Sequence, residues 1–273
     1  MEQLPSELDN VSLTDQKVCI KYEDNKSAEV PVVDLLKPLL LDEKRSVVLV
    51  GEGNFTFSVA VAAVRKSWEG LISTRYDPID PVESPKPQFT EAKLKSIEFC
   101  IKNGEWLGID ADMILDNIAS VMGTGPPPEK NWMFGIDATN LPTNSGLNVQ
   151  GKVVWFQCPW VKLGTPGSPA MLIADVLEHM ASKQSQNDYM LIGIVTFFLY
   201  VKEYRLQDLL GENLSNTTDK SGKYNFRGVD NALVRMILEH GYRHQACDAF
   251  VDIHSQLLKT HITLVFQRNS VGI

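Results

Sequence analysis

Three places in this chain carry groups of the kind that hold a nucleotide-like ligand. The first is Gly51-Glu52-Gly53-Asn54-Phe55, which directly follows the apolar run Val47-Val48-Leu49-Val50. Glycines let a buried strand reverse into a helix, and a helix start near Asn54 to Phe57 turns free N–H groups and a positive dipole end toward the crevice above the sheet. The other two are single carboxylates, Asp77 and Asp137, each just beyond an apolar segment. Asp77 lies at about the spacing from a glycine turn at which an acidic residue meets a ribose diol. Either aspartate could instead cap the turn that follows it. Together, a glycine turn and two carboxylates at the carboxyl ends of adjacent strands form the arrangement that an adenosine, with its hydroxyls and exocyclic amine, requires.

Other chemistries fit less well. The dinucleotide pattern GxGxxG fails because Thr56 stands in the third glycine place, and no GxxxxGK[ST] phosphate loop occurs, which disfavours NTP hydrolysis. Cys158 could be a nucleophile, but nothing near it in sequence favours a thiolate, so a half-buried structural thiol is the simpler reading. His244, Cys247, Asp248, Asp252 and His254 fall in or beside one late strand at mixed parity, so no metal site is expected. The four cysteines, Cys19, Cys100, Cys158 and Cys247, are widely spaced and indicate neither a zinc site nor a disulfide framework. Lys202, Arg205, Lys220, Lys223 and Arg227 cluster around the polar stretch Gly211 to Tyr224, which reads as a mobile, solvated loop, with a phosphate-contacting lid as the alternative.

The elements that must position these groups alternate in type. Residues 1–45 read as an N-terminal extension: a hairpin, Lys17 to Tyr22 and Ala28 to Val32, then a short helix from Val33 to Leu41. From residue 46 to 273 the pattern is that of one doubly wound α/β domain. Strands are predicted at Val47 to Val50, Leu71 to Tyr76, Trp132 to Ile136, Lys152 to Phe156 and Tyr189 to Phe198. Helical spacing marks Phe89 to Asn103, Ala111 to Met122, Ala170 to Ser182 and Val229 to Glu239. The last two runs, Arg243 to Val251 and Thr260 to Gln267, are too close for a helical crossover and should pair antiparallel. The fold class expected is α/β, a Rossmann-like class I methyltransferase fold: a mostly parallel seven-stranded sheet with a terminal antiparallel pair.

A chain of 273 residues, 44% of them hydrophobic, can bury one substantial core. The formal net charge of −8 argues against a generally basic nucleic-acid surface and leaves a local basic patch open. No window approaches the roughly 20 apolar residues of a membrane span, and the N-terminus Met1-Glu2-Gln3-Leu4-Pro5 lacks the features of a signal peptide. An intracellular location, cytoplasmic or nuclear, and no membrane partner are therefore expected.

The strings Val48-Leu49-Val50-Gly51-Glu52-Gly53-Asn54-Phe55-Thr56-Phe57-Ser58, Ser73-Thr74-Arg75-Tyr76-Asp77 and Gly135-Ile136-Asp137-Ala138-Thr139-Asn140-Leu141 resemble the Rossmann-like domain of the large-subunit ribosomal RNA uridine-N3 methyltransferase family. The resemblance covers residues 46–160 and implies S-adenosylmethionine as cofactor and RNA uridine N3 as acceptor. It implies cofactor contacts from Gly51, Glu52, Gly53, Asn54 and Phe55 to the amino-acid part, from Asp77 to the ribose, and from Asp137 and Ala138 at the adenine. After the fourth strand the family tends to carry Asn-Phe-Pro-His, where this chain has Gln157-Cys158-Pro159-Trp160. By that resemblance Gln157 and Trp160 are the candidate catalytic residues, accepting hydrogen bonds from a planar acceptor and stacking on it. The histidine of the family string is missing, and with it the obvious titratable group. Three functions follow: an S-adenosylmethionine-dependent RNA methyltransferase, a non-catalytic Rossmann-like interaction module with a protein partner on the N-terminal hairpin or the Pro-rich loop Pro78 to Pro87, and a small-molecule methyltransferase.

Overall fold

A computed structural model describes residues 17–21, 27–42, 45–52, 56–65, 67–76, 131–141, 146–159, 168–195, 219, 221–230, 237 and 261–269. Lys17–Lys21 (β1) and Ser27–Pro31 (β2) pair antiparallel, and a helix, α1, follows at Leu36–Leu41. The main sheet comprises Val47–Val50 (β3), Leu71–Thr74 (β4), Trp132–Met133 (β5), Val153–Gln157 (β6), Tyr189–Val195 (β7), Tyr224–Asp230 (β8) and His261–Arg268 (β9). Two further helices are α2, Thr56–Arg65, and α3, Pro169–Ala181.

The strand order across the seven-stranded sheet is β5-β4-β3-β6-β7-β9-β8. Strands β5, β4, β3, β6 and β7 are mutually parallel, and β9 runs antiparallel between β7 and β8. This is the seven-stranded arrangement, with its terminal antiparallel pair, of the Rossmann-like methyltransferase fold. The chain moves outward one way from β3 through β4 to β5, then returns to β6 on the other side. The carboxyl ends of β3 and β6 therefore flank the topological switch point, where open α/β sheets leave a crevice.

Both faces of the sheet are covered. Val47, Val48, Leu49 and Val50 are each 0% exposed, as a central parallel strand requires, and a fully buried Val or Leu stabilises by about 1.5–3 kcal/mol. Phe57, Val61, Ala62 and Val64 of α2 pack on one face with Leu49, Trp155 and Leu191, and Phe57 meets Trp155 edge-on with ring centroids 5.0 Å apart. Ile173, Val176, Leu177 and Met180 of α3 pack on the other face with Val48, Val154 and Ile192. Ser168 starts α3, its hydroxyl accepting from the Met171 N–H at 3.3 Å, and Pro169 follows at the first helical position.

The antiparallel partner of the final strand differs from the expectation. β9 pairs with Tyr224–Asp230, a segment read from sequence as the end of a loop and the start of a helix. Tyr224 and Phe226 point inward while Asn225 and Arg227 do not, a strand alternation that Gly228 interrupts with a bulge between Phe226 and Gly228. The runs Phe89 to Asn103, Ala111 to Met122 and Arg243 to Val251 lie outside the described residues, as do most of Gly211 to Tyr224 and Val229 to Glu239. The third strand is shorter than expected, Trp132–Met133, because Gly135 takes φ 67 and kinks the ladder before Ile136 rejoins it through its N–H to Arg75 O at 3.0 Å. α1 starts three residues late because Val32 and Val33 are committed elsewhere. Val32 bridges Val229, and the Val33 N–H donates to Val229 O at 2.9 Å. Val30 and Val32 thereby join the main core beside β8.

Candidate functional site

The crevice at the switch point begins with Gly51, which adopts φ 73; a Cβ there would also run into the Phe156 ring from β6. Only glycine meets both demands. Glu52 follows, 6% exposed, with its N–H tied to Thr74 O at 2.8 Å, so the turn is anchored on β4 as well as β3. Its Oε2 accepts both the Ser58 N–H, at 3.1 Å, and the Ser58 hydroxyl, at 2.7 Å. Ser58 lies in the first turn of α2, so Glu52 serves that helix as a cap from outside it. Burial outweighs these two bonds and pushes the carboxyl up to about 7.

Across the switch point, β6 ends in Gln157, and Cys158 follows it. Cys158 takes φ 47, and its N–H donates to Gly193 O at 2.9 Å. Burial, reinforced by the Glu52 charge, pushes its thiol up to about 12 against a weaker opposing bond from Gln157. A thiol raised in this direction favours the protonated form, in keeping with the structural reading.

Gln157 has the least expected surroundings. It stands opposite Gly193 of β7, and Val195 two residues along is opposite His261 of β9. These positions share the sheet face of Trp155 and Leu191, so the Gln157 side chain passes over Gly193, where any Cβ would collide with its Oε1. Its Nε2 lies 2.6 Å from His261 Nε2 and 3.5 Å from Cys158 Sγ, while Oε1 is buried with no hydrogen-bond partner. His261 is itself 2% exposed. The histidine of the family string is missing after β6, and a histidine from the last strand lies buried beside Gln157. Only the β9 register and the missing Gly193 side chain reveal that contact, and neither is visible in local sequence.

Asp137 occupies the carboxyl side beyond β5. Its Oδ1 accepts from the Thr139 N–H at 2.9 Å and hydroxyl at 2.7 Å, which is the turn-capping alternative in operation, and Oδ2 has no bond among the described residues. Ala138 beside it is buried. Gly53, Asn54, Phe55, Asp77 and Trp160 lie outside the described residues, as do His244, Cys247, Asp248, Asp252 and His254. Of the candidates, the structure thus brings Gly51, Glu52 and Gln157 to one switch-point crevice, with Asp137 farther along the same edge. Among the described residues no cluster of His, Cys, Asp and Glu could hold a metal ion, and no helix is long and apolar enough to cross a membrane.

Residues 48–204 match the family described as rRNA (uridine-N3-)-methyltransferase BTM5-like. No curated protein sequence matches the chain. Among solved structures, the 16S rRNA methyltransferase KamB is similar at 15% identity and a TM-score of 0.37, over 93% of this chain and 100% of that one. A variant of the 16S rRNA (adenine(1408)-N(1))-methyltransferase from Catenulisporales acidiphilia is similar at 13% identity and a TM-score of 0.39, over 93% and 98%. The [4+2]-cyclase SpnF is similar at 11% and 0.36, over 87% and 81%.

Proposed function

Because the chain belongs to the rRNA (uridine-N3-)-methyltransferase BTM5-like family, we propose that it transfers a methyl group from S-adenosylmethionine to N3 of a uridine in ribosomal RNA. One observation carries this reading: the family match runs from the glycine turn at Gly51 to beyond Gln157, and these two strand ends flank one switch-point crevice.

The residues present fit the cofactor. Among the described residues the Glu52 side chain bonds only Ser58, through Oε2, and meets no counter-charge, so its buried carboxylate can take the cofactor's ammonium. Gly51, Gly53, Asn54 and Phe55 would line the same amino-acid part, with Asp77 on the ribose. Asp137 keeps Oδ2 for the adenine amine, beside Ala138. When bound, S-adenosylmethionine would supply a sulfonium methyl open to in-line displacement: the N3–C bond forms as the S–C bond breaks, and the N3 proton leaves to solvent, so the protein's task is to position the acceptor nitrogen and ease that deprotonation. Gln157 would orient the base by its amide and Trp160 would stack on it. On this reading ribosomal RNA is the partner, and the cytoplasm or nucleus is the compartment expected for it.

Calorimetry with S-adenosylmethionine and its demethylated product, followed by transfer of labelled methyl to ribosomal RNA and mapping of the product, tests this reading. Cofactor binding and label at uridine N3 are expected. Absence of binding at millimolar cofactor would overturn it. Binding without transfer to any acceptor would favour the interaction module, and turnover without RNA the small-molecule enzyme.

A further inference from the structure

We propose that His179 is a positioning residue for cofactor binding: from the last turn of α3 it latches residues 137–141, the turn that would meet the adenine, and releases them in acid. The inference rests on the reading that Asp137 and Ala138 meet that adenine. Three successive amides of the turn donate hydrogen bonds. The Thr139 N–H donates to Asp137 Oδ1 at 2.9 Å and the Asn140 N–H to Asp137 O at 3.1 Å, so both close the turn on itself. The Leu141 N–H donates to His179 Nε2 at 2.9 Å, and of the three it alone reaches another element. Ala138 and Leu141 are buried in the core that holds Val176, Leu177 and Met180 of α3, so this bond sets the seat of a turn already packed against that helix. Because Thr139 grips Asp137 Oδ1 within the same turn, a shift at Leu141 carries the adenine-facing carboxylate with it.

The direction of the bond fixes the state of the ring. A backbone N–H can only donate, so Nε2 is unprotonated and the neutral imidazole carries its hydrogen on Nδ1. Protonation would put a second hydrogen on Nε2, facing the Leu141 N–H, and replace the bond with two opposed donors. The charged groups about the ring are Lys183 just past the end of α3, Asp175 one turn back within it, and Asp137 of the turn it holds, while Glu178 beside it is paired with Lys223 just before β8. Strands β3, β6 and β7 bring Val48, Val154 and Ile192 to the inner face of α3, and none of these titrates. Burial, with the Lys183 charge added, holds the imidazole below its ordinary 6.5 against the pull of Asp137, so the latch is closed at neutral pH. Cofactor affinity should therefore fall as pH drops through the native His179 titration, since only the neutral ring holds the turn.

The test begins with nitrogen-15 NMR of the full chain without ligand, with a His179→Gln spectrum to identify the ring signals. The expected result is a bare Nε2 at neutral pH and a Leu141 amide signal that moves as His179 titrates. A proton on Nε2 at neutral pH, or a Leu141 amide indifferent to that titration, would overturn the latch. In calorimetry with S-adenosylmethionine at neutral pH, His179→Ala should weaken binding about fivefold, as loss of one hydrogen bond does. His179→Gln, whose amide oxygen can accept from Leu141 without titrating, should keep most of the native affinity. On lowering the pH to about 5.5, the native chain should lose about threefold more affinity than His179→Gln. Glu52 titrates in both chains, so the difference between them belongs to His179. Equal acid losses in the two chains, or an alanine variant that binds like the native one, would count against the proposal. If the native chain binds no S-adenosylmethionine at either pH, the proposed function falls, while the ring and Leu141 signals still decide whether His179 holds the turn.

Discussion

The two ends of the sheet treat their polar groups in opposite ways. At the amino end, where β6, β7 and β8 begin and α3 and β9 finish, buried polar groups are densely paired. Gln184 accepts the Tyr224 hydroxyl at 2.7 Å and donates to Tyr189 O at 3.0 Å and Lys152 O at 3.2 Å. Arg268 donates to Ala181 O at 3.0 Å and Lys223 O at 2.7 Å, and Asp188 accepts from the Gly151 and Ser185 N–H groups. Asn269 Oδ1 is one exception among the described residues there. At the carboxyl end, Gln157 keeps an orphaned oxygen, Glu52 holds its carboxyl at about 7, and Cys158 stands at positive φ. Unsatisfied and desolvated groups cost stability, and at the carboxyl end that cost falls on residues of the proposed site.

The largest effect that could break this division is at Gln184. Replacing it with alanine strips partners from Tyr224, Tyr189 and Lys152 and should cost about 4 kcal/mol in urea unfolding, with methyl transfer per folded molecule unchanged. A loss of turnover without loss of stability would mean that the amino end also serves the reaction.

A smaller effect of opposite sign is expected at the carboxyl end. The native state raises the Glu52 carboxyl from 4.5 to about 7, so between these values the folded chain binds more protons than the unfolded one. Its contribution to stability therefore falls as pH rises through that window and stays low above it, by on the order of 3 kcal/mol. Glu52→Gln should flatten this slope, gaining most relative to the native chain at pH near 8, in unfolding measured across pH. An unchanged slope would show that Glu52 is ionised without cost.

The smallest effect should come from the ion pair of Lys223 with Glu178, which lies at the amino end but in solvent. Lys223→Ala should shift the thermal midpoint by no more than about 0.5 kcal/mol allows, since exposed pairs contribute little. A larger loss would place the stability of that end in its surface charges rather than its buried bonds.

What could be read from sequence follows from what is local. The parallel strands β3, β6 and β7 are short apolar runs buried on both faces, and α3 has its capping serine, Pro169 and helical apolar spacing within one stretch. The glycine turn is equally local, because Gly51 must take a positive φ wherever a strand reverses so sharply. β8 was missed because its alternation lasts only from Tyr224 to Arg227 before the bulge at Gly228 shifts the register. His261 was missed because its meaning lies in pairing. It belongs with Gln157 only once β9 lies antiparallel on β7 and Gly193 has left a gap between them. The helix-capping role of Glu52 was hidden for the reverse reason: the nearby glycines drew attention to a ligand, and Ser58 satisfies part of the carboxylate without one.

The Val32 and Val33 contacts with β8 have a consequence for how the molecule behaves in company. Among the described strands β8 ends the sheet, and a terminal strand presents unpaired N–H and C=O groups on which another chain can build. Here the Val33 N–H occupies Val229 O, and Pro31 O sits so close to Gly228 that a Cβ there would collide with it. The segment after the hairpin thus acts as a guard rail against strand addition, and with it removed, two copies of the sheet could join through β8 and grow into larger aggregates.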